Sequence, residues 1–216
     1  MLKTGEIQPQ PAGWAHLYSE AELYKAAVRL YTKPLFDSRK AQSTSTDDRT
    51  LYDFARRGLK NLQVIHSQLA SRNFHFRPGL AIHHNFNGKH RTLYIYPWEE
   101  RLVDLLLYRI LNRRFNRWFS PHSYAYRLDG WGLDRCQRRV AKIISKANGP
   151  IFSLKRDISD YFGSIDHEVL QSRIDQLVLP GDYLSTLLRE RIEFRYVDRG
   201  IDGTARQGIP FGTAVA

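Results

Sequence analysis

Apolar side chains recur along this chain at two spacings, and each spacing predicts a kind of element. SEAELYKAAVRLY opens with Ser19 and has Glu22 three residues on, the signature of a capping box, which predicts a helix from about 20 to 32. The polar run AQSTSTDDR reads as a loop, with the Asp47-Asp48 pair as a helix cap. From there Leu51, Phe54, Ala55, Leu59, Leu62 and Leu69 recur at helical spacing, predicting one long amphipathic helix to about 70. The period then shortens to two. FHFRPGLAIHHNFNGKHRTLYIYPW alternates on either side of Asn87-Gly88, a strong hairpin-turn dipeptide, and Pro97 ends the ribbon.

Helical spacing returns with Leu102, Val103, Leu106, Leu107, Ile110, Leu111 and Phe115, a mostly buried helix across 99–117. After the loop SPHSYAYRLDGWG, a helix at about 131–147 carries Leu133, Cys136, Val140, Ile143 and Ile144 on its apolar side, and Gly149-Pro150 breaks it. IFSLKRDI alternates as a short strand. Asp166 caps a helix bearing Val169, Leu170, Ile174 and Leu177. A further helix, about 182–192, precedes a hairpin formed by EFRYVDRG and GTARQGIP. Helices and a hairpin followed by a strand–helix unit give an α+β class.

Composition narrows the function. At 216 residues, 42% hydrophobic and 25% charged, the chain has the make-up of a soluble globular protein. No apolar run is long enough to span a membrane, and the N-terminus lacks the apolar core of a signal peptide, so a cytoplasmic protein is expected. The one cysteine, Cys136, excludes a disulfide framework and a cysteine-based zinc site.

The net charge of +11 implies a polyanionic partner. It is uneven: residues 1–100 carry +5, residues 101–150 carry +8 and residues 151–216 carry −2. In the middle stretch Arg113, Arg114, Arg117, Arg127, Arg135, Arg138 and Arg139 stand among Phe115, Trp118, Tyr124, Tyr126 and Trp131. Arginine among aromatics suits phosphate contacts with base stacking, and it equally suits a solvated helix face with its own core aromatics.

The most informative segment is LKRDISDYFGSIDHEVL. A carboxylate at the end of a rigid strand beside a sharp turn, as expected for Asp157, is where a hard divalent cation can be held. Taken singly, Asp157 reads as a strand-end acid, Asp160 as a turn residue and Asp166 as a plain helix cap.

Three further segments change that weighing. RTLYIYPWEERLVDLLLYRIL, SPHSYAYR, RDISDYFGSIDH and RQGIPFG, in this order, resemble successive blocks of reverse transcriptases, most closely the bacterial ones: group II intron maturases, retrons and defence-associated types. The resemblance covers about residues 73–216. It implies a right-hand polymerase fold: an N-terminal tail and helix (1–46), fingers (47–150) and the first part of the palm (151–216). The implied activity is RNA-directed DNA polymerisation, a nucleotidyl transfer using magnesium, with manganese as substitute. Its implied partners are an RNA template and primer or RNA–DNA duplex, deoxynucleoside triphosphates and, in some relatives, a structured non-coding RNA, with no membrane.

The same resemblance makes Asp157 the first catalytic aspartate and a metal ligand, with the Ile158 carbonyl as a further oxygen. Phe162 matches the position that excludes a 2′-hydroxyl, although it also reads as a core aromatic anchoring the next helix. The backbone at Asp160 and Tyr161 would face the triphosphate. Lys89 and Arg91, beside the hairpin turn, match fingers residues that grip phosphates, a role that otherwise competes with plain exposed hairpin charges. Gln207 and Gly208 match the block at the template–nucleotide pair, and Gly212 either shares that role or serves a helix start.

These polymerases also carry a Tyr-x-Asp-Asp hairpin and a thumb, and neither is present in these 216 residues. The expectation is therefore a fragment, or one part of a longer or split polymerase, or a catalysis-deficient relative. From another class comes a non-catalytic RNA- or DNA-binding module that uses only the basic face.

Overall fold

A computed structural model describes residues 18–32, 44–86, 88–125, 127, 130–179 and 181–210, apart from the side chains of Phe86, Lys89 and Arg117. The N-terminal tail, Asn87, Tyr126, Gly212 and the expected helix start at the last residues lie outside that set. Helix α1 spans Glu20–Thr32, as its capping signature predicts, with the Glu22 N–H bonding back to the Ser19 carbonyl at 3.1 Å.

The long helix expected next is instead two helices, α2 (Leu51–Arg56) and α3 (Gly58–Ala70). Arg57 between them sits at φ −110°, ψ 25°, outside helical geometry, and Gly58 follows it. Glycine gains least from helix formation, so a break there is inexpensive. The cap is also not Asp47-Asp48. Thr50 caps α2 in a reciprocal box with Asp53, while Asp47 binds Ser45 and Arg49. Threonine three residues before an acid satisfies two orphan N–H groups at once, which no arrangement of Asp47 and Asp48 achieves from their positions.

Strands β1 (Gly79–Phe86) and β2 (Lys89–Ile95) form the expected hairpin, in antiparallel register from Leu80↔Ile95 to Phe86↔Lys89. Helix α4 (Trp98–Phe115) follows, and a single turn of 3-10 helix, Asn116–Trp118, extends it. Helices α5 (Leu133–Ser145), α6 (His167–Asp175) and α7 (Tyr183–Ile192) precede β3 (Arg195–Asp198) and β4 (Ile201–Thr204). Asp166 and Asp182 cap α6 and α7 through their carboxylates. The sheet order is β2-β1-β3-β4, with β3 parallel to β1 and the other pairs antiparallel. The class is mixed α+β, and no helix among the described residues is long and apolar enough to cross a membrane.

The chain forms two compact units. One takes in the described residues up to Tyr108 and from Asp160 onward. Its core is built from Leu23, Phe54, Ile65, Leu69, Phe74, Leu102, Leu106, Leu107, Leu184 and Leu187, all buried. The other unit, Arg109–Ser159, holds α5 and the segment 151–158.

In that second unit one expectation fails, the strand, while the expected helix forms with its apolar side uncovered. Residues 151–158 form no strand and are exposed throughout, with Phe152 94% exposed. Alternation makes a strand only where a neighbouring strand takes up its backbone bonds, and none among the described residues does. The apolar side of α5 is likewise bare: no residue of that helix is buried, and Leu133 is 71% exposed.

The first unit also buries charge that the sequence reading left unassigned. Arg191 of α7 and Asp104 of α4, 2% and 1% exposed, form an ion pair. The guanidinium lies over Tyr96 at 3.9 Å and Phe76 at 4.6 Å. One helical turn before Asp104, Glu100 accepts bonds from the Arg77 Nε at 2.7 Å and the Arg77 N–H at 3.2 Å. Its second oxygen, Oε2, is buried without a partner. Burial pushes the Glu100 carboxyl up to about 7, against the downward pull of Arg77.

A carboxyl whose folded value lies above its unfolded one binds more protons when folded, so its contribution is full below about 4.5 and is lost as the pH rises through 7. Unfolding free energy should therefore fall by about 2–3 kcal/mol between pH 5 and 8. Glu100→Gln should flatten most of that slope in urea titrations. Equal slopes in the two proteins would contradict this account of Glu100.

Candidate nucleic-acid and nucleotide site

Residues 159–164 form a turn in which Asp160 takes φ +45°, and its carbonyl accepts the Ser164 N–H at 2.9 Å. Gly163 lies against the Asp160 carboxylate, which a Cβ there would crowd. Tyr161, exposed, meets the half-buried Phe162 edge-on at 5.3 Å.

This turn is clasped by a segment more than forty residues away in sequence. The Gly208 N–H donates to the Ile165 carbonyl at 2.7 Å, and the Ile209 N–H donates to the Phe162 carbonyl at 2.9 Å. Gln207 Nε2 reaches the Ser164 carbonyl at 3.1 Å, while His167 Nε2 donates to the Gly208 carbonyl at 2.5 Å. Gly208 is buried at φ +80°, and a Cβ on it would lie 3.0 Å from the Gly163 Cα and the Phe162 carbonyl. Left-handed backbone and close approach both select glycine. Gly208→Val should therefore destabilise this clasp by about 1–3 kcal/mol, read as faster exchange of the amides of residue 208 and Ile209. Unchanged exchange would contradict the geometry.

Of the expected site residues, Asp160, Tyr161, Phe162, Gln207 and Gly208 are thus brought together. Lys89 and Arg91 lie on β2 just past the Gly88 turn, and Arg91 is exposed opposite His84 in the register. Asp157 and Ile158 belong to the other unit, on the exposed irregular segment rather than at a strand end. The Asp157 Oδ1 accepts the Ile158 N–H at 3.0 Å.

The resemblance implies magnesium at Asp157 and the Ile158 carbonyl. These donors do not fit a resident ion by themselves. One exposed carboxylate already holds a backbone N–H, and no cluster of three His, Cys, Asp or Glu side chains among the described residues could hold a metal. Magnesium sites of this kind draw on one or two carboxylates together with substrate phosphates.

The basic unit divides its arginines between two tasks. Arg127 is structural: it donates to Asn116 Oδ1 at 2.9 Å and to the carbonyls of Asn116, Ser120 and Ser123 at 2.7–3.2 Å. Its guanidinium stacks on Trp131 at 3.5 Å, and Arg135 stacks on the same ring at 3.9 Å. Four bonds and a ring leave Arg127 little for phosphate. Arg138, Arg139, Lys142 and Lys146, by contrast, are exposed on or just after α5. Trp118 and Phe119 are partly exposed nearby in sequence.

A groove of about 520 Å³ between α6 and α7, lined by His167, Glu168, Asp175, Arg189 and Glu193 among others, was not anticipated. Its side chains come from two helices whose polar faces carry no motif.

No family model matches this chain, and no curated protein is significantly similar to it.

Proposed function

We propose that this chain is the nucleic-acid-gripping and nucleotide-selecting part of an RNA-directed DNA polymerase, its fingers and the first part of its palm. The single observation that carries the reading is the clasp between Asp160–His167 and Gln207–Ile209, because the two sequence blocks with the most specific resemblance meet in space through backbone bonds. The substrates in this reading are an RNA template with its primer and deoxynucleoside triphosphates. The task falls among intron mobility, satellite DNA synthesis and antiviral defence. Asp157 and the Ile158 carbonyl are two of the oxygens a magnesium or manganese ion needs, and the remaining ligands come from outside these residues. A second reading, a binding module without chemistry, is favoured by one observation: the lone exposed carboxylate of Asp157.

Phe162 distinguishes the two. Joined to a palm and thumb carrying the second aspartate pair, the chain should extend a DNA primer on an RNA template. Phe162→Val should then raise ribonucleotide use relative to deoxyribonucleotide use by about tenfold or more, since a ring under the sugar excludes the 2′-hydroxyl sterically. The ratio of the two kcat/KM values, with a thermal melt, is the measurement. An unchanged ratio in a folded variant makes Phe162 a packing residue, and absence of extension in the joined protein supports the binding module.

A further inference from the structure

Four buried side chains of the first unit carry polar atoms that no protein group answers. Tyr96, Glu100, Asp104 and Arg191 are each 2% exposed or less. Arg191 is bonded to Asp104 between Nη2 and Oδ2. Its Nε and Nη1, the Asp104 Oδ1, the Glu100 Oε2 and the Tyr96 hydroxyl are all enclosed without a partner among the described residues. These atoms are neighbours rather than a scatter. Glu100 and Asp104 stand one turn apart on α4, and the Arg191 guanidinium that meets Asp104 also lies over the Tyr96 ring. A guanidinium presents five N–H donors around a rigid plane, so a single carboxylate oxygen leaves most of them over. Donors and acceptors left unmade in a protein interior call for a partner the polypeptide does not supply.

We propose that Tyr96, Glu100, Asp104 and Arg191 line an internal hydration site, in which water cut off from bulk solvent bridges the free N–H groups of Arg191 to the free oxygens of the other three and so joins α4 to α7. Two features select water. The unanswered set mixes donors, Nε and Nη1, with acceptors, Oδ1 and Oε2, and the Tyr96 hydroxyl serves as either. Water offers two donors and two acceptors and ordinarily makes about three bonds in such a place. A cation would meet the guanidinium N–H groups, and an anion would meet two carboxylates. Charge points the same way: Arg77 pairs with Glu100 and Arg191 with Asp104, so the cluster has no excess charge for an ion to balance. This site stands independently of the polymerase reading.

The test uses the 216-residue chain at pH 8, where Glu100 is mostly ionised and has little proton to relay. Cross-peaks between water and the Arg191 Nε–H are recorded in nuclear and rotating-frame Overhauser spectra. Opposite signs in the two spectra are expected, the mark of direct contact with long-lived water. No cross-peak, or equal signs from hydrogen exchange alone, overturns the proposal. In Tyr96→Phe the cross-peak should persist, because Arg191 and the two carboxylates still hold the water. Its loss in a folded variant would assign the signal to the tyrosine hydroxyl and also overturn it. Oxygen-17 relaxation dispersion, which reads the water oxygen and no labile hydrogen, provides a second measurement. Its long-lived component should fall by at least one water per protein molecule in the variant Asp104→Leu with Arg191→Met. An equal component in the two proteins, or none in the unsubstituted chain, overturns the site.

Discussion

Asp104→Ala is expected to destabilise the chain by about 3–5 kcal/mol, a large fraction of what holds a domain of this size together. The substitution strands the Arg191 guanidinium, 2% exposed, between the rings of Tyr96 and Phe76 with its nearest counter-charge gone. Burial by itself lowers the affinity of Arg191 for its proton, and the Asp104 carboxylate, with Tyr96 and Glu100, more than reverses this, holding the group above its ordinary value. The partner is equally exposed to loss: burial pushes the Asp104 carboxyl up, and Arg191 is the strongest opposing influence. Glu100, the other nearby acid, is already paired with Arg77 through Oε1.

Removing both charges should be milder. Asp104→Leu together with Arg191→Met fills similar volume without a buried ion and is expected to recover most of the loss, because desolvation then costs nothing. Urea denaturation of the two single variants and the double variant gives the coupling directly. A single substitution that shifts stability by less than about 1 kcal/mol would mean that the pair is hydrated rather than buried.

These buried charges show where sequence reading runs out. Arg191 and Asp104 look like surface residues of amphipathic helices, and only their placement 87 residues apart in one core reveals the pair. Elements set by local chemistry were legible: the Ser19–Glu22 cap of α1, the turn at Gly88 and the Asp166 cap of α6 all follow from a few adjacent residues. The failures share a different cause. Helix periodicity ran on through Arg57-Gly58 because a single non-helical residue leaves the apolar spacing intact. IFSLKRDI reads as a strand, but pairing is a property of its neighbours and not of its own alternation.

The site was partly legible for the same reason. Gly208 is required by left-handed backbone and close backbone approach, which a sequence can hint at through glycine beside polar turn residues. That Gln207–Ile209 closes on the Phe162 turn is a tertiary fact, as is the bracing of Asn116 by Arg127.

The largest expected response is to salt. Each phosphate neutralised by the basic unit releases a counterion, so affinity for an RNA–DNA duplex should fall steeply as salt rises. With about six to ten such contacts the loss between roughly 50 and 200 mM salt is about 10³–10⁵-fold. The exposed cations Arg138, Arg139, Lys142 and Lys146 are the natural contributors, since Arg127 is occupied. Replacing these four with glutamine should reduce the slope by about four without unfolding the chain, because none of them is buried.

The most direct measurement of the central claim is therefore the dissociation constant of the 216-residue chain for an RNA–DNA duplex across a salt series, alongside the quadruple glutamine variant. Steep loss of affinity with salt, and a slope shallower by about four in the variant, is the predicted result. Affinity indifferent to salt, or the same slope in both proteins, would contradict it.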